Sequence, residues 1–231
     1  MVARGDLGIE CPYEELPIIQ RKIVKTCLRV GRPVIVATHM LESMISTPHP
    51  TRAEITDVAN AVYEQADAIM LSGETTVGKY PLKCLEVMDR VSRRIERSGG
   101  ANFQERAEFT SPRQKLVKSA VVMADELKAE ALIIFTIRGT MARYTSWMRP
   151  RHSKIYAVCE TQEMADQLTL LWGITPIVMA FNHASPEKTI NPAIEVLKKN
   201  GQVTKGHTVV VVSSISAEER IVDAIQMRVV E

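Results

Sequence analysis

The feature that most constrains this chain is an alternation, kept up almost from end to end, between short apolar runs and longer amphipathic stretches. Residues 34–37, 68–71, 132–136, 155–159, 174–179 and 208–212 are runs of strand length, rich in Val, Ile, Leu and Ala. Residues 12–30, 52–65, 82–97, 112–127, 161–171 and 186–199 repeat apolar positions at helical spacing. A strand that is apolar at nearly every position must be covered on both faces, and helices between strands supply the cover, so the expected class is α/β with parallel sheets. The last run, 224–230, sets Ile225, Met227 and Val229 against Gln226 and Arg228. Following 208–212 after a short connection, it is expected to be an antiparallel edge strand.

The alternation breaks once. Residues 98–111 (Ser-Gly-Gly-Ala-Asn-Phe-Gln-Glu-Arg-Ala-Glu-Phe-Thr-Ser) are polar and aperiodic, which places a boundary there: one domain over 1–98, a linker over 99–110 and a second domain over 111–231. Ser111 before Pro112, and Thr51 three residues before Glu54, read as helix starts. With 231 residues, 45% hydrophobic and 24% charged, the chain has the composition of a globular protein with two modest domains. Its 29 basic and 27 acidic residues leave a net charge of +2, no basis for expecting nucleic acid as a partner. No apolar stretch approaches the ~20 residues of a membrane span, and the first residues show no leader pattern. Neither the four cysteines nor the five histidines have metal-ligand spacing, so reduced thiols and a cytoplasmic location are expected.

Three runs end in small polar residues. Val2-Ala3-Arg4-Gly5-Asp6-Leu7-Gly8 follows an apolar entry with Gly-Asp, either a plain turn or a place where Gly5 lets the backbone approach an anion and Asp6 offers a hard oxygen ligand suited to Mg²⁺. The run at 34–37 leads into Thr38, with Met40, Leu41, Met44 and Ile45 reading as core. The run at 68–71 leads into Ser72-Gly-Glu-Thr-Thr-Val-Gly-Lys79, whose hydroxyls, glycines and lysine suit phosphate chemistry without the spacing of a P-loop. At the C-terminal ends of barrel strands such groups would share one catalytic face.

Taken together and in order, A-R-G-D-L-G, V-A-T-x-M-L-E-S-M, P-T-R-A-E-x-x-D-V-A-N-A-V and D-A-I-M-L-S-G-E-T-x-x-G-K-Y-P closely resemble the pyruvate kinase family. The resemblance continues more loosely in T-I-R-G-T-M-A-R, M-R-P and I-Y-A-V. It implies part of a (β/α)₈ barrel over 1–98, followed by a three-layer α/β/α regulatory domain. It implies transfer of phosphate from phosphoenolpyruvate to ADP with Mg²⁺ (or Mn²⁺) and K⁺, and assembly as a homo-tetramer. By residue-to-residue carry-over, Asp6 would be a metal ligand, and Gly5 and Asp6 would offer N–H groups to the substrate carboxylate. Thr38 would sit where the enolate is protonated, with Ser72 in the proton relay. His39 stands where the family commonly has Gln.

The family's enolate-stabilising Lys, Glu metal ligand, K⁺ site and lid precede A-R-G-D, so the chain is expected to be an incomplete and inactive part of the enzyme. The alternative is a free-standing module for effector binding or oligomerisation. In the second domain, Thr136, Arg138, Gly139 and Thr140 form an expected phosphate cradle at a strand-to-helix junction, or only a turn. The segment 213–223, where fructose-bisphosphate-regulated members carry a Gly-rich loop, has no glycine and holds Glu218, Glu219 and Asp223. That argues against a sugar bisphosphate as effector.

Overall fold

The computed structural model describes residues 1–182, 185–217 and 220–231. It divides into two compact units, Met1–Glu108 and Phe109–Glu231.

In the first unit, β1 (Val2–Ala3), β2 (Ile35–Ala37) and β3 (Ala68–Met70) form, among the described residues, a three-stranded parallel sheet in the order β1-β2-β3. Val2 pairs with Val36, and Val36 with Ile69. Parallel neighbours in sequence order, each followed by a helix, are the repeating unit of a (β/α) barrel. The helices are α1 (Arg4–Glu10), α2 (Leu16–Val30), α3 (Arg52–Tyr63), α4 (Gly73–Thr76) and α5 (Pro81–Glu96).

Local chemistry sets their ends. Helix α2 has Pro17 in its first turn and stops at Gly31, whose φ of 73° is the left-handed C-cap conformation that costs glycine little. Helix α3 starts with a capping box: Thr51 Oγ1 accepts from Glu54 N–H, and Glu54 accepts from Thr51 N–H at 2.7 Å. One face of each helix closes on β2. Val24 and Leu28 from α2, Val58 and Ala61 from α3, and Cys84, Val87 and Met88 from α5 pack with Val34, Val36, Met40, Leu41 and Met44. The expected core role of Met40, Leu41 and Met44 is borne out, although residues 42–45 wind as a 3₁₀ turn.

Buried between α2 and α3, Glu64 accepts from Gln20 at 3.0 Å, Arg21 at 3.3 Å and Asn60 at 3.3 Å. A buried carboxylate is tolerable only when served in this way. The segment read as a linker begins against this unit. Ala101 N–H donates to Tyr63 O, Asn102 N–H donates to Gln65 Oε1, and Phe103 packs on the core.

In the second unit the described strands form a five-stranded sheet in the order β6-β5-β4-β7-β8. They are β4 (Ala131–Phe135), β5 (Lys154–Cys159), β6 (Ile174–Val178), β7 (Thr208–Ala217) and β8 (Arg220–Val229), parallel except for the β7–β8 pair. Strand β4, at the centre, is buried at every position. Successive residues face opposite layers. Leu132, Ile134, Ile155, Ala157, Val210 and Val212 meet α6 (Pro112–Glu126), α7 (Thr140–Trp147) and α8 (Gln162–Leu168). Ile133, Tyr156, Val158, Val209 and Val211 meet α9 (Glu187–Lys199). These are three layers with two cores.

Pro176 lies inside β6, which is possible because β6 is an edge and no ladder bond is forfeited to a second neighbour. Strand β8 is the expected antiparallel edge, but its faces are used in an unexpected way. Arg228 turns inward to the carboxylate of Glu187 and to Asn191 on α9, while Met227 and Val229 are more than half exposed.

Two stability tests follow from the helix starts. Ser111 caps α6 in a second capping box with Gln114, so Ser111→Ala should cost about 1 kcal/mol, read as a lower unfolding midpoint. Glu54 gives a pH test. Burial pushes its carboxyl up, but hydrogen bonds from Ser43 and Thr51 outweigh burial and hold it below its ordinary value of 4.5. A carboxyl depressed in the folded state stabilises above its unfolded value, and that stabilisation disappears as pH falls through the folded one. The stability gap between the native chain and Glu54→Gln should therefore be constant near neutral pH and close in acid below that value.

Candidate functional site

The three strand ends of the first unit converge on one tightly bonded turn. Strand β1 passes directly into α1, so the N–H groups of residues 4–6 belong to an opening helical turn and need partners from elsewhere. Gly5 N–H donates to Thr38 Oγ1 at 2.8 Å, and that hydroxyl donates to Ala37 O at 2.7 Å. Thr38 and His39 both hold positive φ, 67° and 53°. For a β-branched residue this is a strained conformation, worth about 1–3 kcal/mol, that persists only where surrounding contacts impose it.

The imposing group is Arg4, nine-tenths buried. Its Nε donates to Thr38 O at 3.1 Å and, more weakly, to Ala37 O at 3.3 Å. Nη2 donates to Thr38 O at 2.5 Å and lies 2.9 Å from Met40 Sδ. Nη1 donates to Asp57 Oδ2 on α3 at 2.5 Å. From the other side comes Glu74, fully buried, whose two oxygens accept from Leu41 N–H at 3.0 Å and from Ser72 N–H at 2.7 Å. The turn leaving β2 is thus held to β1 by Arg4 and to β3 by Glu74.

The glycines around Glu74 are steric requirements. A Cβ on Gly73 would lie 3.0 Å from Ile45 Cδ1, and one on Gly78 would lie 2.3 Å from the Glu74 carbonyl oxygen. Of the residues singled out in the sequence, Gly5 and Thr38 are in direct contact, and Ser72 is joined to them through Glu74 and Leu41. Gly5 N–H is spent on Thr38. Asp6 is exposed in the first turn of α1, and Ser72 Oγ makes no capping bond. Among the described residues no cluster of three or more His, Cys, Asp or Glu could hold a metal ion. Asp6 offers one exposed carboxylate, by itself a poor Mg²⁺ site.

Sequence reasoning passed over Arg4, Asp57 and Glu74. The available signal was charge next to apolar runs, inside motifs already noted for other residues.

The second unit presents a separate pocket of about 600 Å³ at the β4–α7 junction. Thr136, Arg138 and Thr140 line it. Gly139, the N-cap of α7, has φ 73°, and a Cβ there would come 3.1 Å from Met164 Sδ on α8. The turn that opens α7 toward the pocket is therefore available only to glycine. Ser213, at 4% exposure, also lines the pocket, and its hydroxyl is buried without a hydrogen-bond partner among the described residues. Asp223, one of the acids expected to repel a phosphate, is engaged by Arg113 Nε at 2.8 Å. Glu218 and Glu219 lie outside the described residues.

Comparison with known proteins decides the family. Residues 1–85 match the family described as pyruvate kinase, barrel domain, and residues 114–226 match pyruvate kinase, alpha/beta domain. The chain belongs to the pyruvate kinase family. It is similar to pyruvate kinase 2 of Synechocystis sp., with 40% identity over 210 residues that make up 91% of this chain and 35% of that protein. It is also similar to the chloroplastic pyruvate kinase isozyme G of Ricinus communis, with 43% identity over 223 residues, 93% of this chain and 51% of that one. A crystal structure of a pyruvate kinase from Cryptosporidium parvum matches with a TM-score of 0.91 and 32% identity, covering 99% of this chain and 46% of that chain.

The chain thus spans between 35% and 51% of the length of these relatives. As a pyruvate kinase barrel requires, the first unit's strands are parallel and adjacent in sequence order. No helix among the described residues is long and apolar enough to cross a membrane.

The Arg4 clamp predicts a stability pattern. Arg4→Met leaves Thr38 O and Asp57 without their donor, and should cost about 3 kcal/mol in urea unfolding, the low end for breaking a buried pair because Asp57 is partly exposed. Arg4→Lys should recover little of that loss, since an ammonium cannot serve two carbonyls and a carboxylate in one planar fork.

Proposed function

We propose that this chain supplies part of the catalytic face and the regulatory domain of a pyruvate kinase, which moves the phosphoryl group of phosphoenolpyruvate to ADP and protonates the resulting enolate to pyruvate. The observation that supports it best is the Gly5–Thr38 hydrogen bond inside the Arg4 and Glu74 clamps. It places a hydroxyl, a helical turn's N–H groups and the Asp6 carboxylate at the ends of neighbouring parallel strands. Phosphoryl transfer asks for such fixed positioning more than for covalent participation. Mg²⁺ (or Mn²⁺), when bound, neutralises charge on the phosphoryl oxygens, with Asp6 as the ligand from this chain; K⁺ is proposed on the family's precedent.

Thr38 Oγ1 already accepts from Gly5 and donates to Ala37 O. To deliver a proton to the enolate carbon it must exchange the Ala37 carbonyl for the substrate, with Ser72 as the residue through which the hydroxyl is resupplied. The second unit's pocket is proposed as the site of a phosphorylated effector, held by the opening of α7, Thr136, Arg138 and Thr140. Self-association to a tetramer is proposed as well, supported by the exposed edge strand β8 with Met227 and Val229. A reducing, cytoplasmic setting fits four free thiols.

The test is ADP-dependent pyruvate formation from phosphoenolpyruvate with Mg²⁺ and K⁺. This chain alone should give none, and turnover at about 1–1000 per second would contradict the reading. In the complete enzyme, Asp6→Ala should raise the Mg²⁺ concentration needed for half-maximal rate. Thr38→Ala should slow enolate protonation to pyruvate more than ATP formation in a single turnover. An unchanged Mg²⁺ requirement in Asp6→Ala would remove Asp6 as a ligand.

A further inference from the structure

Two cations line the second unit's pocket among the described residues, and they differ in what holds them. Arg138, at the β4–α7 junction, is exposed and has no ion-pair partner among the described residues. Arg113, in the first turn of α6, gives its Nε to Asp223 Oδ2 at 2.8 Å. The two members of that pair are unequal: the Arg113 side chain is 52% exposed, the Asp223 side chain 19%. The carboxylate is the fixed member. Pulling the guanidinium away would strand a mostly buried charge, whereas the guanidinium itself can turn to water.

Strand pairing puts that carboxylate beside the pocket. Strand β4 pairs with β7 from Val209 to Val212, whereas β8 stays paired with β7 as far as Ala217 and Arg220. At the first step past the end of the β4 ladder, Ser213 pairs with Ala224. Ser213 lines the pocket with a buried hydroxyl that has no partner among the described residues. Asp223, one residue from Ala224, falls on the opposite face of the ribbon, where it meets Arg113 on α6. The opening of α7, the Ser213 hydroxyl and Arg138 all call for an anion. An anion that reaches Arg113 meets a cation already countered by a carboxylate that water screens poorly.

Building on the effector reading of this pocket, we propose that Asp223 is its internal counter-anion: by neutralising Arg113 it holds down the pocket's affinity for anionic ligands, whatever group carries the charge. The contact is autoinhibitory. It leaves Arg138 as the one uncompensated cation of the described lining, so that a single mostly buried carboxylate on β8 sets how strongly the pocket attracts an anion.

Titration of the whole chain with inorganic phosphate at low ionic strength, followed by the amide resonances of residues 139–141, tests this. Asp223→Asn keeps an acceptor for Arg113 Nε and removes the charge. It should bind phosphate at least about threefold more tightly than the native chain. Arg113→Gln should bind more weakly, since the carboxylate is then uncovered, and the double variant should return to within about twofold of the native affinity. Arg138→Ala should weaken binding in the native and Asp223→Asn backgrounds alike, which places the phosphate in this pocket. Native-like amide spectra over β4 and β5 report that each variant is folded. Unchanged or weaker binding in Asp223→Asn would overturn the inference, because Asp223 would then be indifferent to the ligand or would orient Arg113 for it. The effector reading would stand in that case, provided binding still depends on Arg138. A gain that survives in the double variant would overturn the inference too, since the charge would not act through Arg113. If phosphate moves none of these amides in either the native chain or Asp223→Asn, or moves them without dependence on Arg138, the effector reading falls and this inference with it.

Discussion

In the guanidinium of Arg4 three segments of the first unit meet: the exit of β1, where Arg4 itself resides, the turn leaving β2 and helix α3. Its donors hold the carbonyls of Ala37 and Thr38 and the carboxylate of Asp57. With these oxygens fixed, Thr38 and His39 are kept in left-handed backbone that neither would choose alone, and the Thr38 hydroxyl is carried onto Gly5 N–H. A guanidinium suits this task because its donors lie in one plane and stay charged when buried. Glu74 completes the arrangement from the β3 side, again with charge used to hold backbone in place.

Under the proposed function, backbone fixed in this way places the strand-end groups before a substrate arrives and leaves only the Thr38 hydroxyl to reorient. The strain at Thr38 is stored against the Arg4 and Glu74 bonds. The second unit uses a different device, a glycine at Gly139 that lets α7 open toward a pocket where the Ser213 hydroxyl has no partner among the described residues.

Much of the fold was legible in the sequence because hydrophobic periodicity is enforced by burial at every residue of a covered strand. The run at 132–136 and the capping pairs Thr51–Glu54 and Ser111–Gln114 show the pattern at full strength. Helix α1 was not legible: it has Gly5 and Gly8 in seven residues and is about half exposed along its length, so neither propensity nor periodicity marks it. The inward turn of Arg228 was missed for a related reason. Alternation predicts which residues share a face, but a polar face can be the covered one when a helix supplies Glu187 and Asn191. At the candidate site, Gly5, Asp6, Thr38 and Ser72 were singled out from motif order and resemblance, whereas Arg4 and Glu74 hold backbone groups distant in sequence and Asp57 holds Arg4. No local pattern announces such partners.

The central claim is that Arg4 imposes the geometry of Thr38. A crystal structure of the Arg4→Lys variant tests it most directly. The account predicts that Thr38 leaves positive φ and that the 2.8 Å contact between Gly5 N and Thr38 Oγ1 opens beyond hydrogen-bonding distance. A lysine variant in which Thr38 and His39 keep their left-handed backbone and the Gly5 bond stays intact would contradict it.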